Sequence, residues 1–119
     1  MATRREFGLF DLRVLFERDE RFEVEVAYCL QTGSVATADD FDTVWVMMKE
    51  LLEDEITYAL KYENLANLFS NPAPTEIWRK WYELSQKVEP EIMKLEIDWE
   101  KVKPYERRRG EKVAFLKAA

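Results

Sequence analysis

Alternating hydrophobic and polar positions dominate the first third of the chain. Residues 9–17 alternate with a period of two, which places apolar side chains on one face and charged ones such as Asp11 on the other. Residues 18–21 are polar enough for a hairpin connection, and residues 22–28 alternate again. A third short strand fits residues 35–37. The pattern predicts a sheet with one apolar face against a helix and one charged face in water.

The middle of the chain has a different period and predicts a long amphipathic helix from about Asp40 to Glu63. Apolar residues recur there at spacings of three and four, and charged residues fill the opposite side. Asp39 or Asp40 can cap the first free amide groups. We expect Asn64 to end this helix and residues 65–69 to add one further turn.

The C-terminal third predicts a second helix and a fourth strand. Pro72 and Pro74 break any helix, because proline lacks the amide donor. Thr75 is expected to cap the next helix, and residues 93–99 alternate as a strand would. The buried side of this second helix is expected to hold Ile77, Trp78, Trp81, Tyr82 and Leu84.

Together these elements predict a two-layer α+β domain. Three N-terminal strands and a later strand form a small antiparallel or mixed sheet, and the long helix covers it. The domain is expected to span residues 1–100, with residues 101–119 as a basic C-terminal tail that is at most partly ordered. The tail carries Arg107-Arg108-Arg109, but the interspersed Glu106 and Glu111 favour a solvated segment over a nucleic-acid contact.

Composition narrows the range of functions. The chain has 119 residues with 47% hydrophobic residues, enough for one packed core, and a net charge of -6. That acidity disfavours nucleic acid as the main ligand and suits a basic protein partner. A single cysteine, Cys29, allows no internal disulfide and, with no apolar run of signal-peptide or membrane-helix length, predicts a cytoplasmic protein.

Four short sequence motifs, in their order and spacing, resemble the HicB-like family. Residues 26–30 read Val-Ala-Tyr-Cys-Leu, and residues 33–39 read Gly-Ser-Val-Ala-Thr-Ala-Asp. After the long helix come Asn-Leu-Ala-Asn-Leu-Phe at 64–69 and Asn-Pro-Ala-Pro-Thr-Glu-Ile-Trp at 71–78. The resemblance covers about residues 26–81. It implies a partial RNase H-like fold and an antitoxin that neutralises a small basic mRNA-cleaving toxin.

Three hypotheses for function follow from the sequence. The leading one is a HicB-like, antitoxin-type regulatory module that binds a small basic toxin and is not an enzyme. A stand-alone dimeric HicB-like protein without a toxin is the second. The third is a metal-dependent nuclease that uses Asp11 with Glu50, Glu53 and Asp54, although the pattern favours a solvated face for these acids.

No residue is assigned a catalytic, cofactor-binding or metal-binding role. The chain has no histidine, which excludes Ser-His and Cys-His pairs, and Cys29 is expected to be buried and inert. Trp78, Trp81 and Tyr82 could anchor a partner, but their spacing favours core packing. Residues 85–119 are too short for a DNA-binding module, so DNA binding is not expected, whereas a homodimer through exposed strand edges is.

Overall fold

The computed structural model describes residues 10–97 and 111–118, and it is an α+β domain. Its sheet is mixed, and the longest helix packs on one face, as the sequence predicted. In chain order the elements are β1 (Arg13–Asp19), β2 (Val24–Cys29), β3 (Val35–Ala38), α1 (Phe41–Lys61), α2 (Leu65–Leu68), α3 (Thr75–Ser85), β4 (Glu91–Leu95) and β5 (Glu111–Lys117).

The sheet has the strand order β3-β2-β1-β5-β4. β1 pairs antiparallel with β2, and β2 pairs antiparallel with β3, which is the predicted N-terminal meander. β5 pairs in parallel with β1 and antiparallel with β4. The last strand in sequence is therefore an interior strand of the sheet, flanked by partners on both sides.

The position of β5 corrects the expectation of a solvated tail for its residues. Val113, Ala114 and Leu116 are buried, and so is the side chain of Glu111. A short continuous apolar run is typical of a strand buried on both faces, where no alternation is needed. The rest of the expected tail, residues 101–110, lies outside the described residues, as does the stretch 98–100.

Helix α1 covers the first face of the sheet and closes the main core. Asp40 is its N-cap, and its side chain accepts a hydrogen bond of 2.8 Å from the Thr43 backbone nitrogen. The Phe16 ring from β1 meets the Phe41 ring of α1 edge-on, with centroids 5.1 Å apart. The buried residues of α1 are Val44, Met48, Leu52, Ile56, Ala59 and Leu60.

Helix α3 packs on the opposite face, which the sequence analysis expected to be charged and solvated. Ile77 and Trp81 of α3 form a second core cluster with Leu15 of β1, Ala114 and Leu116 of β5, and Leu30 and Ala73 from the connecting segments. The expectation was wrong for this part of the sheet, because apolar residues of β1 and β5 point to both faces. The described domain thus has helices on both sides of its sheet.

Three local expectations also need correction. Thr75 is the first residue of α3 and not its cap, since Pro74 occupies the cap position and makes no side-chain capping bond. Tyr82, expected on the buried side, is 60% exposed. Asp11 does not lie within a strand either, because β1 begins at Arg13 and Asp11 has a left-handed backbone with φ 50°.

The predicted long helix is confirmed to within two residues at each end, and α2 is the predicted additional turn. A fourth strand is present as β4, but it covers Glu91–Leu95 and not the predicted residues 93–99, of which 98 and 99 lie outside the described residues. None of the helices within residues 10–97 and 111–118 has both the length and the apolar character required to cross a lipid bilayer.

Candidate functional site

A polar cavity of about 510 Å³ opens beside the C-terminal half of α1. Three parts of the chain form its walls: the turn between β2 and β3, the outer side of α1, and the segment that runs through α2. The residues that line it are Thr32, Asp54, Glu55, Tyr58, Ala59, Asn64, Asn67, Leu68, Ser70 and Asn71.

The turn between β2 and β3 holds one wall of the cavity against the segment after α2. Gly33 has φ +75°, and its amide donates to the Cys29 carbonyl over 3.0 Å. Its Cα lies against the Asn71 carbonyl, where a side chain would find no space. The Ala73 amide donates to the Leu30 carbonyl over 2.9 Å. These contacts fix the distance between two segments that are far apart in sequence.

A chain of hydroxyl groups connects this turn to α1. The Thr32 and Ser34 hydroxyl oxygens lie 2.7 Å apart, and the Ser34 hydroxyl donates to Glu55 Oε1 over 2.5 Å. Thr32 is buried, so its hydroxyl needs the partner that Ser34 supplies. One oxygen of Glu55 is thereby held in a fixed position at the cavity wall.

Cys29 lies beneath this hydroxyl chain and is fully buried, which confirms its expected burial. Burial raises the pKa of the Cys29 thiol above its ordinary value and outweighs the opposing effect of the hydrogen bond with Thr32. The thiol is therefore protonated at neutral pH, and a protonated, enclosed thiol is a poor nucleophile.

The electrostatic character of the cavity is acidic. Asp54 and Glu55 both line it, and none of the described lining residues is cationic. Asp54 is exposed and forms no ion pair with any residue in 10–97 or 111–118. The remaining polar lining comes from asparagine amides and hydroxyl groups, which can accept hydrogen bonds from a cation.

The outer stripe of α1 continues from the mouth of this cavity along the helix. We define it as Val46, Glu50, Asp54 and Tyr58 of α1 together with Tyr62, the residue that caps the C-terminus of α1, at four-residue spacing. All five are exposed, with Tyr58 at 60% and Tyr62 at 58%. The two tyrosine rings contact each other with centroids 4.7 Å apart. The stripe therefore combines aromatic surface at one end with two unburied carboxylates.

The carboxylates that the sequence suggested for a nuclease have separate surroundings. Asp11 pairs with Arg13 at 3.1 Å. Glu53 accepts hydrogen bonds from Lys49 Nζ at 2.7 Å and from the Glu96 amide at 2.6 Å. The bond to Glu53 raises the pKa of Lys49. Within residues 10–97 and 111–118, no three acidic, histidine or cysteine side chains are grouped to hold a metal ion.

The aromatic residues of α3 divide between core and surface. Trp81 is buried in the second core cluster, and Trp78 is half-buried with its indole nitrogen donating to the Ala73 carbonyl over 3.1 Å. Core packing, the favoured interpretation, is confirmed for Trp81. Tyr82 is exposed and contributes to neither core cluster. The arginine run at 107–109 lies outside the described residues.

No local pattern in the sequence predicts the cavity, although four segments that resemble the HicB-like motifs build most of it. The motifs at 26–30, 33–39, 64–69 and 71–78 all contribute a wall or support one. A spacing signal was present, because Asn64, Asn67 and Asn71 recur at three and four residues directly after the long helix. Their convergence on Thr32 depends on tertiary contacts that no local pattern reveals.

Comparison with known proteins adds no assignment. No protein-family model matches the chain, no curated protein matches it, and no solved structure matches it.

Proposed function

We propose that this chain is a protein-binding regulatory module that docks a small basic protein on the outer stripe of α1. The single observation that carries the proposal is the exposed pair Tyr58 and Tyr62, in ring contact, on the same helix face as Glu50 and Asp54. Aromatic residues dominate the binding energy of protein interfaces. Two exposed rings in contact form a larger apolar patch than a single exposed residue such as Tyr82.

The charge of the chain supports a basic partner. The net charge is -6, and the stripe contributes the carboxylates of Glu50 and Asp54, which form no ion pair with any described residue, although Lys61 Nζ lies 5.5 Å from the centre of the Tyr62 ring. A cationic surface would be attracted at long range, which raises the association rate, and would find unpaired carboxylates at contact. An acidic or neutral partner would gain neither effect.

We further propose an antitoxin-type role, in which the partner is a small basic toxin that cleaves mRNA. The support is the order and spacing of the HicB-like motifs, together with their position around one cavity next to the stripe. Neutralisation needs only tight binding over the active site of the toxin, so it requires no catalytic group in this chain. The role as a binding protein and the identity of its partner are separate claims.

Co-expression with any small basic protein that is encoded beside this chain tests the proposal. We expect a complex that survives size-exclusion chromatography and that suppresses mRNA cleavage by the partner. A Tyr58→Ala, Tyr62→Ala double variant should weaken the complex by about 2 kcal/mol or more, about thirtyfold in Kd, because hot-spot aromatics cost that much. Titration calorimetry measures the difference.

Tyr82→Ala is the matched control, since Tyr82 is equally exposed but lies on α3. It should leave Kd within about twofold of the wild type. The proposal is overturned if no small basic protein is encoded nearby or if the encoded one forms no complex. A chain that forms only a homodimer, as measured by light scattering, would support the stand-alone alternative instead.

A further inference from the structure

We infer that the cavity beside α1 is a receptor for one lysine or arginine side chain of the basic partner. This inference rests on the proposed function, because it assigns a specific contact within the same docking surface. Asp54 and Tyr58 belong both to the outer stripe and to the lining of the cavity. A partner seated on the stripe therefore covers the cavity mouth and can extend a side chain into it.

The cavity is large enough to admit a long side chain. Its volume, about 510 Å³, falls within the range of about 300–1,000 Å³ that is typical of sites for small organic groups. Ala59 and Leu68 give it an apolar portion, which fits the methylene stem of lysine or arginine. The polar groups around this portion are available for the charged end.

The chemistry of the lining selects a cation. Glu55 Oε1 is held by Ser34, and its second carboxylate oxygen makes no hydrogen bond to any described residue. The Asp54 carboxylate is likewise without an ion pair in this part of the chain. A guanidinium or ammonium group in the cavity would supply the cationic partner that both carboxylates lack among the described residues.

Tyr58 adds a second mode of cation recognition. Its ring is exposed at the cavity mouth and contacts the Tyr62 ring, which limits its rotation. A guanidinium or ammonium group within about 6 Å of a tyrosine ring centre gains cation–π attraction. Arginine would use both the ring face and the carboxylates, because its planar guanidinium donates several hydrogen bonds at once.

Nuclear magnetic resonance titration of the full chain tests the inference without knowledge of the partner. The probe is a ten-residue peptide of alternating arginine and alanine, and the comparison peptide has citrulline at each arginine position. Citrulline keeps the shape of arginine but carries no charge. We expect the arginine peptide to shift the backbone amide signals of Thr32, Asn67 and Asn71, and the citrulline peptide to leave them in place.

Matched variants separate the cavity from general acidity. Asp54→Asn should lower the affinity for the arginine peptide about five- to tenfold, since it removes one charge-assisted contact. Asp42→Asn makes the same chemical change on the same helix, outside the cavity and the stripe, and should change the affinity less than twofold. Glu55→Gln keeps a side-chain oxygen that can accept the hydrogen bond from Ser34, and it should also lower the affinity for the arginine peptide. Asp54 is exposed, so its variant remains informative if Glu55→Gln fails to fold.

Each outcome distinguishes the two proposals. Equal effects of the Asp54 and Asp42 variants would overturn the cavity inference, while a stable complex with the basic protein would keep the docking proposal. Shifts with spermidine but not with the arginine peptide would make the cavity a site for a free cation and overturn the inference as well. Absence of any basic protein partner would overturn the docking proposal and, with it, the assignment of the cavity to a side chain of that partner; peptide binding would then show only that the cavity accepts a cationic side chain.

Discussion

The Cα of Gly33 lies against the backbone carbonyl of Asn71, and a Cβ atom at position 33 would overlap that oxygen. Gly33 also has φ +75°, a conformation that costs other residues about 1–2 kcal/mol. Gly33→Ala should therefore lower the free energy of unfolding by at least about 2 kcal/mol, since strain and overlap act together. Urea denaturation followed by tryptophan fluorescence measures the loss.

Gly33→Asn is the informative comparison, because asparagine tolerates a left-handed backbone but still carries a Cβ atom. We expect it to remain clearly destabilised. A return to wild-type stability in this variant would show that backbone strain alone explains the effect, and that the contact with Asn71 leaves room for a side chain.

Local periodicity was sufficient to predict the parts of the fold that depend on neighbours in sequence. The buried apolar face of α1 and its Asp40 N-cap both depend on residues close in sequence, and both predictions are confirmed. Strand β5 could not be placed this way, because its parallel pairing with β1 joins residues about 100 positions apart. The arginine run at 107–109 also favoured a solvated tail, although a charged segment says little about the burial of the strand that follows it.

The candidate site was harder to predict than the fold for the same physical reason. Its lining combines Thr32 with Asn67 and Asn71, and what unites them is the close approach of Gly33 to the segment after α2. The sequence shows polar residues in each of these segments, but it does not show that the segments come together in the fold. The second core under α3 was missed because residues 9–17 were expected to have one apolar and one charged face, whereas Leu15 packs on the face opposite Val14 and Phe16.

The second core predicts unequal effects for two adjacent residues of α3. Trp81 is 4% exposed, whereas Tyr82 is 60% exposed. Trp81→Ala should cost about 3–5 kcal/mol of stability, as large-to-small changes in a core do. Tyr82→Ala should stay within about 0.5 kcal/mol of the wild type. Thermal unfolding by circular dichroism compares them.

If Trp81→Ala does not fold, Trp81→Phe serves the same comparison with a smaller loss, because it leaves a smaller gap. Similar stability for the position 81 and position 82 variants would mean that α3 does not close a core on this face of the sheet.

Glu111 at the start of β5 is buried and holds the N-terminal side of the described domain. Its Oε1 accepts a hydrogen bond of 3.0 Å from the Phe10 amide, across about 100 residues of sequence. Glu111→Ala should lower the free energy of unfolding by about 1–3 kcal/mol, because the Phe10 amide loses its hydrogen-bond acceptor and side-chain packing is lost. Glu111→Gln keeps a carbonyl oxygen and should cost less. Equal losses in the two variants, measured by urea denaturation, would show that this hydrogen bond is not what matters.

The N-cap of α1 predicts a pH-dependent difference in stability. The hydrogen bond from the Thr43 backbone nitrogen lowers the pKa of Asp40 below its ordinary value of 3.8. A carboxyl group with a lower pKa in the folded state stabilises that state fully above its unfolded pKa. This stabilisation is lost as the pH falls through the folded pKa. Asp40→Ala should therefore lower the urea midpoint clearly at pH 7, and the gap to the wild type should narrow below pH 3.8.

Asp39→Ala is the control for this effect, since it removes the same charge one residue earlier without removing the capping bond. Its difference from the wild type should be smaller at pH 7. Urea midpoints measured from pH 7 down to the acid limit of the folded state give the comparison. A gap between wild type and Asp40→Ala that stays constant or widens on acidification would contradict the stabilising role of the ionised cap.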